Sequence, residues 1–168
     1  MSIVQTLLPE YEHEMGTTRR LLAIVPEADA AWRPHPRSSS LGDLAAHIAT
    51  LPLWGRMVVQ LPELDLGSGE NASAAPLSFK TVAELLQQFD RQVSDTRAAL
   101  AETSDAAMRE RWALKNRGKT VFSLPRAAVF RSFVLSHLIH HRGQLSVYLR
   151  LRDVPLPSIY GPTADATP

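Results

Sequence analysis

The most informative residues of this chain are His137 and His141. They lie in the run Ser136-His137-Leu138-Ile139-His140-His141-Arg142-Gly143-Gln144. A helix places His137 and His141 one turn apart on the same face, roughly 6 Å along its axis. Two imidazoles in that arrangement can share one metal ion if a third ligand comes from elsewhere, and His47 is the best candidate. The stretch therefore predicts a long helix and a metal site with open coordination positions.

Apolar residues recur at alternating spacings of three and four in four segments, which is typical of helices that pack in a bundle. The predicted helices span about residues 2–25, 41–61, 81–100 and 124–151. Ser40 with Asp43, and Thr81 with Glu84, predict the caps of the second and third helices, and Ser78 is a competing cap for the third. The sequence thus predicts an all-α fold, a four-helix bundle in a single domain that covers residues 1–168.

Three connecting segments have a different composition. Residues 67–78 are rich in Gly, Ser and Ala, which predicts a mobile connection between the second and third helices. Before the last helix, Asn116 and Gly118 predict an irregular crossover or a short hairpin. The tail from Asp153 to Thr163 contains three prolines, so it cannot be helical and we expect it to wrap over the surface.

Composition limits the classes of function. A chain of 168 residues with 45% hydrophobic residues is long enough for a globular domain with a core. The net charge of +1, from 18 basic and 17 acidic residues, gives no electrostatic case for nucleic acid. No apolar stretch approaches the roughly twenty residues that span a bilayer, and the N-terminus does not resemble a secretory signal. We therefore expect a cytoplasmic protein that associates with neither nucleic acid nor membrane.

The chain contains no cysteine, so any metal must be held by nitrogen and oxygen atoms. His47, His137 and His141 all replace apolar residues on predicted inward stripes. A buried imidazole whose nitrogens lack partners costs on the order of 1–3 kcal/mol, and three are hard to satisfy without a metal. The adjacent His140 lies about 60° to one side of His137. It could orient a ligand or act in catalysis, or it could simply be a solvated or interface histidine.

Other residues near the histidine pair have open roles. Arg142 could bind an anionic substrate, although a salt bridge on the helix surface is the more common fate. Tyr160 could fold over the site, or it could anchor the tail to the bundle. Tyr11, Trp54 and Tyr148 fall on apolar stripes, where packing in the core is the simpler expectation.

The histidine-rich run, the following Tyr148-Leu149-Arg150-Leu151 and the closing Tyr160-Gly161-Pro162-Thr163-Ala164-Asp165 together resemble the DinB-like family of metalloenzymes. The resemblance covers essentially the whole chain and is most specific in the C-terminal third. It implies a four-helix bundle in which His47, His137 and His141 bind a divalent metal, nickel or zinc, and it implies a homodimer. Characterised relatives in the wider superfamily are transferases and isomerases that use low-molecular-weight thiols. The family name reflects induction by DNA damage, which implies a stress response and not action on DNA.

The three histidines favour a metal-dependent enzyme with a small-molecule substrate, and the resemblance implies a thiol-dependent S-transferase or isomerase. A metal-dependent hydrolase is the rival chemistry. A non-catalytic metal-binding stress-response protein is the second class of function, and a plain bundle with core histidines and no metal is the third. A closed coordination sphere would favour the non-catalytic protein, whereas an open position in a pocket would favour the enzyme.

Overall fold

The computed structural model describes residues 2–67 and 77–166. Residues 68–76, which form most of the predicted mobile connection at 67–78, lie outside the described residues. The helices are α1 (Ile3–Leu22), α2 (Leu41–Gln60), α3 (Val82–Glu102), α4 (Asp105–Arg109), α5 (Arg126–Val129) and α6 (Ser136–Arg150). A π-helical stretch, Phe130–Leu135, joins α5 to α6, so that residues 126–150 form one C-terminal helical segment.

The N-terminal ends of α2 and α3 confirm the predicted caps. The Ser40 hydroxyl accepts a hydrogen bond from the Asp43 backbone N–H at 3.1 Å, and the Thr81 hydroxyl accepts one from Glu84 at 3.2 Å. Each bond satisfies a backbone donor that has no partner inside the helix. The first residues of α2 and α3 could therefore be predicted from the capping side chains at Ser40 and Thr81.

The long helices pack on one another around a shared apolar core. Helix α2 contacts α3 and the C-terminal helical segment, and α1 contacts α3 and α6. As predicted, Tyr11 is fully buried, and its ring lies 5.8 Å from that of Phe130. The core also includes Leu7, Met15, Leu22, Leu44, Ile48, Leu51, Val58, Phe89, Leu100, Val134 and Leu145. No helix within the described ranges is long and apolar enough to cross a membrane.

A small sheet makes the all-α prediction incomplete. Its strands, in the order β1-β2-β3, are Glu63–Asp65, Arg111–Asn116 and Lys119–Pro125. Strand β1 pairs parallel with β2, and β2 pairs antiparallel with β3 in the predicted hairpin. The two turn residues, Arg117 and Gly118, have φ of 51° and 76°, as a tight hairpin turn requires. Strand β1 is too short to leave a periodic pattern in the sequence.

The inward face of the last helix differs from the predicted one. The prediction placed Tyr148 and Leu151 on the same inward stripe as the histidines, but Leu151 is 54% exposed. The π-helical stretch explains the difference, because its i→i+5 hydrogen bonds, such as Ser136 N–H to Arg131 O, shift the register that follows. The buried residues of α6 are Leu138, Arg142, Leu145 and Leu149.

Arg142 neither binds at the surface nor forms a surface salt bridge, which corrects both predicted roles. Its side chain is 1% exposed and its Nη1 lies 2.6 Å from Oε2 of Glu14 on α1. The Tyr160 hydroxyl lies 2.9 and 2.8 Å from the two carboxylate oxygens of Glu14 and accepts a hydrogen bond from Arg142. Tyr160 therefore anchors the tail, one of its two predicted roles, and the three residues join α1, α6 and the tail.

This buried network predicts a specific pattern of stability. Glu14→Leu leaves the Arg142 guanidinium buried without a counter-charge, so we expect a loss of about 3–5 kcal/mol in the free energy of unfolding. The double variant Glu14→Leu/Arg142→Met removes both charges, and we expect it to recover most of that loss. Urea denaturation of the three proteins measures the difference. Equal losses in the single and double variants would show that the uncompensated charge is not the cause.

Candidate metal centre

Three histidines from two helices meet at one point. His47 comes from α2, and His137 and His141 come from α6. One ring nitrogen of each lies within 4.8 Å of the others, and Nε2 of His47 is 3.3 Å from Nε2 of His137. The ring of His141 completes the group, with its centroid 4.5 Å from that of His47 and 4.7 Å from that of His137. The structure therefore brings together all three histidines that the sequence singled out.

The distances suit a divalent ion. Two nitrogens bound tetrahedrally at about 2.0–2.1 Å from a metal are separated by about 3.3 Å, which matches His47 and His137. Nδ1 of His141 lies 2.7 Å from Oε1 of Gln144. Since an amide oxygen only accepts, Nδ1 donates this bond and the lone pair is left on Nε2. The group is thus arranged as metal-binding histidines usually are.

The electrostatics of the group keep it neutral. Burial, followed by the neighbouring imidazoles, lowers the pKa of His47 from its usual 6.5 to about 4. Burial also lowers the pKa of His137 and of His141. Hydrogen bonds of His137 to the Phe133 backbone and of His141 to Gln144 oppose this effect in part. All three lone pairs are therefore available at neutral pH, as metal ligation requires.

The histidines lie at the edge of the core and not inside it. The prediction had them facing inward, whereas all three are half-buried. The shifted register of α6 turns Leu138 and Arg142 into the interior in their place. This position gives the group access to solvent-filled space.

His140 is exposed and does not belong to the group. Its ring lies against His141, with centroids 4.8 Å apart and planes at 69°. The two adjacent histidines thus point in different directions from the helix, as expected. Of the three grouped histidines, His140 has a ring contact with His141.

A cavity of about 210 Å³ opens beside the group. His47 and His141 form part of its wall, together with Ser38, Ser39, Leu44, Gln144 and Tyr148. The sequence analysis missed the two serines, because a serine-rich loop before a helix cap carries no motif for a pocket. It also placed Tyr148 in the core, whereas the residue is half-buried and faces this cavity. A larger cavity of about 480 Å³, between the end of α1 and the tail, includes none of the three histidines.

Aromatic rings pack beside His137. The Phe133 ring lies 6.0 Å from that of His137 and contacts Trp54 at 4.9 Å and Phe122 at 5.7 Å, centroid to centroid. Phe133 belongs to the π-helical stretch and Phe122 to β3, so the sheet contributes to the surroundings of the site. Aromatic rings thus neighbour His137, and a polar cavity lies beside His47 and His141.

Comparison with solved structures shows the same fold in two bacterial proteins. A DinB-like protein from Bacillus cereus ATCC 10987 is 20% identical with a TM-score of 0.66, covering 91% of this chain and 95% of that one. A DinB-like protein from Bacillus subtilis is 17% identical with a TM-score of 0.69, covering 92% and 97%. At such identities the likeness concerns the fold alone.

No protein of curated function matches the chain. The family model of the DinB superfamily matches residues 10–145, a range that begins in α1 and includes the three histidines. A match over most of the chain, together with the shared fold, leads to one conclusion: the chain belongs to the DinB superfamily.

Proposed function

We propose that His47, His137 and His141 bind a divalent metal ion, nickel or zinc, and that the protein is a metal-dependent enzyme with a small-molecule substrate. One observation carries this proposal: one ring nitrogen from each of three imidazoles lies within 4.8 Å of the others, and two of the three, His47 and His141, line a polar cavity. Three protein ligands leave a fourth position for a substrate or water, which distinguishes catalytic from structural sites. The cavity supports the enzyme over a metal site that serves the fold alone.

The chain's own residues would share the work at this site. A bound ion supplies a Lewis acid that lowers the pKa of a thiol or water at its open position. Gln144 holds His141 through its Nδ1, and the Phe133 ring packs beside His137. The open side admits the substrate past Tyr148 and the two serines.

We further propose that the reaction is thiol-dependent, either an S-transfer or an isomerisation with a low-molecular-weight thiol as cosubstrate. In the transfer, the thiol sulfur bonds to an electrophilic carbon, the leaving group departs with its electron pair, and the thiol proton passes to solvent. Among the residues that the structure describes, no Asp or Glu lines the cavity. The family resemblance supports the thiol reaction, hydrolysis by a metal-activated water is the rival, and His140, whose ring lies against that of His141, is a candidate for proton transfer.

The homodimer, the stress-response role and the cytoplasmic location remain predictions, because a single chain without partners does not test them. A non-catalytic metal-binding protein is the alternative function. Measuring activity distinguishes this alternative from the enzyme, whereas measuring metal content does not, because both proteins bind the ion.

The first test concerns the metal. We expect wild-type protein, purified without a His tag or chelating resin, to bind about one divalent ion per chain. His47→Ala and His137→Ala each remove a ligand and should lose that ion, as measured by elemental analysis. His13→Ala, at an exposed position on α1, and His140→Ala are matched controls that should retain it. Equal metal content in all five proteins would refute the assignment of the ligands.

The second test uses the depressed pKa of His47 in the metal-free protein. In the unfolded chain this imidazole takes up its proton near pH 6.5, whereas in the folded protein it does so near pH 4. The unfolded state therefore binds more protons between these values, and stability should fall as the pH falls from about 6.5 to about 4. We expect the thermal midpoint of wild type to drop over this range and that of His47→Gln to drop less. Parallel curves would contradict the low pKa.

The third test concerns the reaction. Metal-loaded wild type, incubated with a panel of low-molecular-weight thiols and electrophiles, should form the thiol conjugate or the isomer, as followed by mass spectrometry. His137→Ala should fall to the uncatalysed rate, because it loses a metal ligand. Turnover of ester or amide substrates without any thiol would instead identify a hydrolase. No turnover in either panel would leave the non-catalytic function.

A further inference from the structure

The cavity beside the histidines is polar but uncharged. Apart from His47 and His141, the lining residues are two serines, a tyrosine, a glutamine and a leucine, and no Lys, Arg, Asp or Glu within residues 2–67 and 77–166 is among them. Such a lining can hydrogen-bond a ligand but cannot pair with an ionised phosphate or carboxylate away from the metal.

Tyr148 is the residue of this lining whose position is best supported. Its ring meets the Trp32 ring edge-on, with centroids 5.7 Å apart and planes at 89°. The guanidinium of Arg152 lies 5.5 Å from the Trp32 ring on another side, and it forms two hydrogen bonds to Asp29 at 2.9 and 3.0 Å. The chain Asp29–Arg152–Trp32 thus holds Tyr148 in place beside the cavity.

The polar groups of the cavity have free hydrogen-bonding capacity. Within residues 2–67 and 77–166, the side chains of Ser38, Ser39 and Tyr148 form no hydrogen bond. Gln144 uses its amide oxygen for His141 and keeps its N–H donors. Tyr148 packs against Trp32, which Arg152 and Asp29 hold in turn, and its hydroxyl has no hydrogen-bond partner within the described residues. The hydroxyl is therefore available to a ligand that enters the cavity.

We propose that this cavity binds the uncharged, hydroxyl-bearing part of the molecule that ligates the metal, with Tyr148 as the residue that positions it. The inference rests on the proposed function, since the ligand reaches the cavity from the open metal position. At about 210 Å³ the cavity is smaller than pockets for drug-sized ligands, so it takes a small molecule or one end of a larger one. Ser38, Ser39 and the Gln144 amide supply the remaining hydrogen bonds.

Two thiols that differ by one hydroxyl test this proposal. Cobalt(II)-loaded protein is titrated with 2-mercaptoethanol and with ethanethiol, and binding is followed by the sulfur-to-cobalt absorption in the near ultraviolet. For each protein, the affinity for 2-mercaptoethanol is divided by the affinity for ethanethiol. The measured quantity is this affinity ratio in wild type divided by the affinity ratio in Tyr148→Phe. This quotient cancels the intrinsic difference between the thiols and isolates the hydroxyl–hydroxyl interaction. We expect a quotient of about 5, as one hydrogen bond gives.

The controls separate positioning from stability. Ser146→Ala removes a hydroxyl two residues from Tyr148 that does not line the cavity, and its affinity ratio should equal that of wild type. Trp32→Leu removes the ring that holds Tyr148 and should lower the ratio part of the way. Thermal midpoints and the cobalt absorption of each variant show that it is folded and loaded.

The outcomes distinguish this inference from the function on which it rests. A quotient near 1, with both thiols bound, would overturn the hydroxyl subsite and leave the metal-dependent thiol enzyme standing. Failure of both thiols to change the absorption, or failure to load cobalt, would overturn the proposed function and this inference with it. A quotient near 5 in Tyr148→Phe and near 1 in Ser146→Ala supports the assignment.

Discussion

The burial of Arg142 against Glu14 is the constraint on which the site depends. Arg142 directly follows His141 in α6, and successive residues of a helix point about 100° apart. Because the guanidinium must reach Glu14 on α1, the His141 ring is turned toward α2 and His47. A charge that cannot be left without its partner therefore sets the rotation of the helix that carries two of the three histidines.

A second constraint acts from the other end of the same helix. Arg126 is 9% exposed, and its guanidinium donates to the carbonyl oxygens of Val58 and Leu61 at 2.5 and 2.6 Å. These carbonyls lie at the C-terminal end of α2, where the helix leaves them without internal partners. Arg126 thus ties the start of the C-terminal helical segment to α2, the helix of His47. Two buried arginines hold the segment, one to each neighbouring helix.

Periodic and local features were predictable from the sequence, and features that depend on distant partners were not. The caps at Ser40 and Thr81 and the pairing of His137 with His141 follow from spacings of three and four within one helix. Arg142 and Glu14 are 128 residues apart, and nothing in their local sequence distinguishes them from a surface pair. Strand β1 is likewise defined only by its partner β2. The triad was found because each histidine occupied a position where an apolar residue was expected, even though the register shift places all three at the edge of the core.

Because of the π-helical stretch, the positions of the histidines depend on the number of residues before them as well as on which residues these are. Its wider turns accommodate more chain between Arg126 and Ser136 than an α-helix over the same rise, so the histidines depend on the number of residues there. A relative without this stretch would need a gap between residues 130 and 135 for its histidines to superimpose on His137 and His141. An alignment without that gap would pair His141 with the residue next to the histidine of the relative that occupies the same place in the site. The adjacent His140 makes that error hard to notice, since a histidine would still stand in the column.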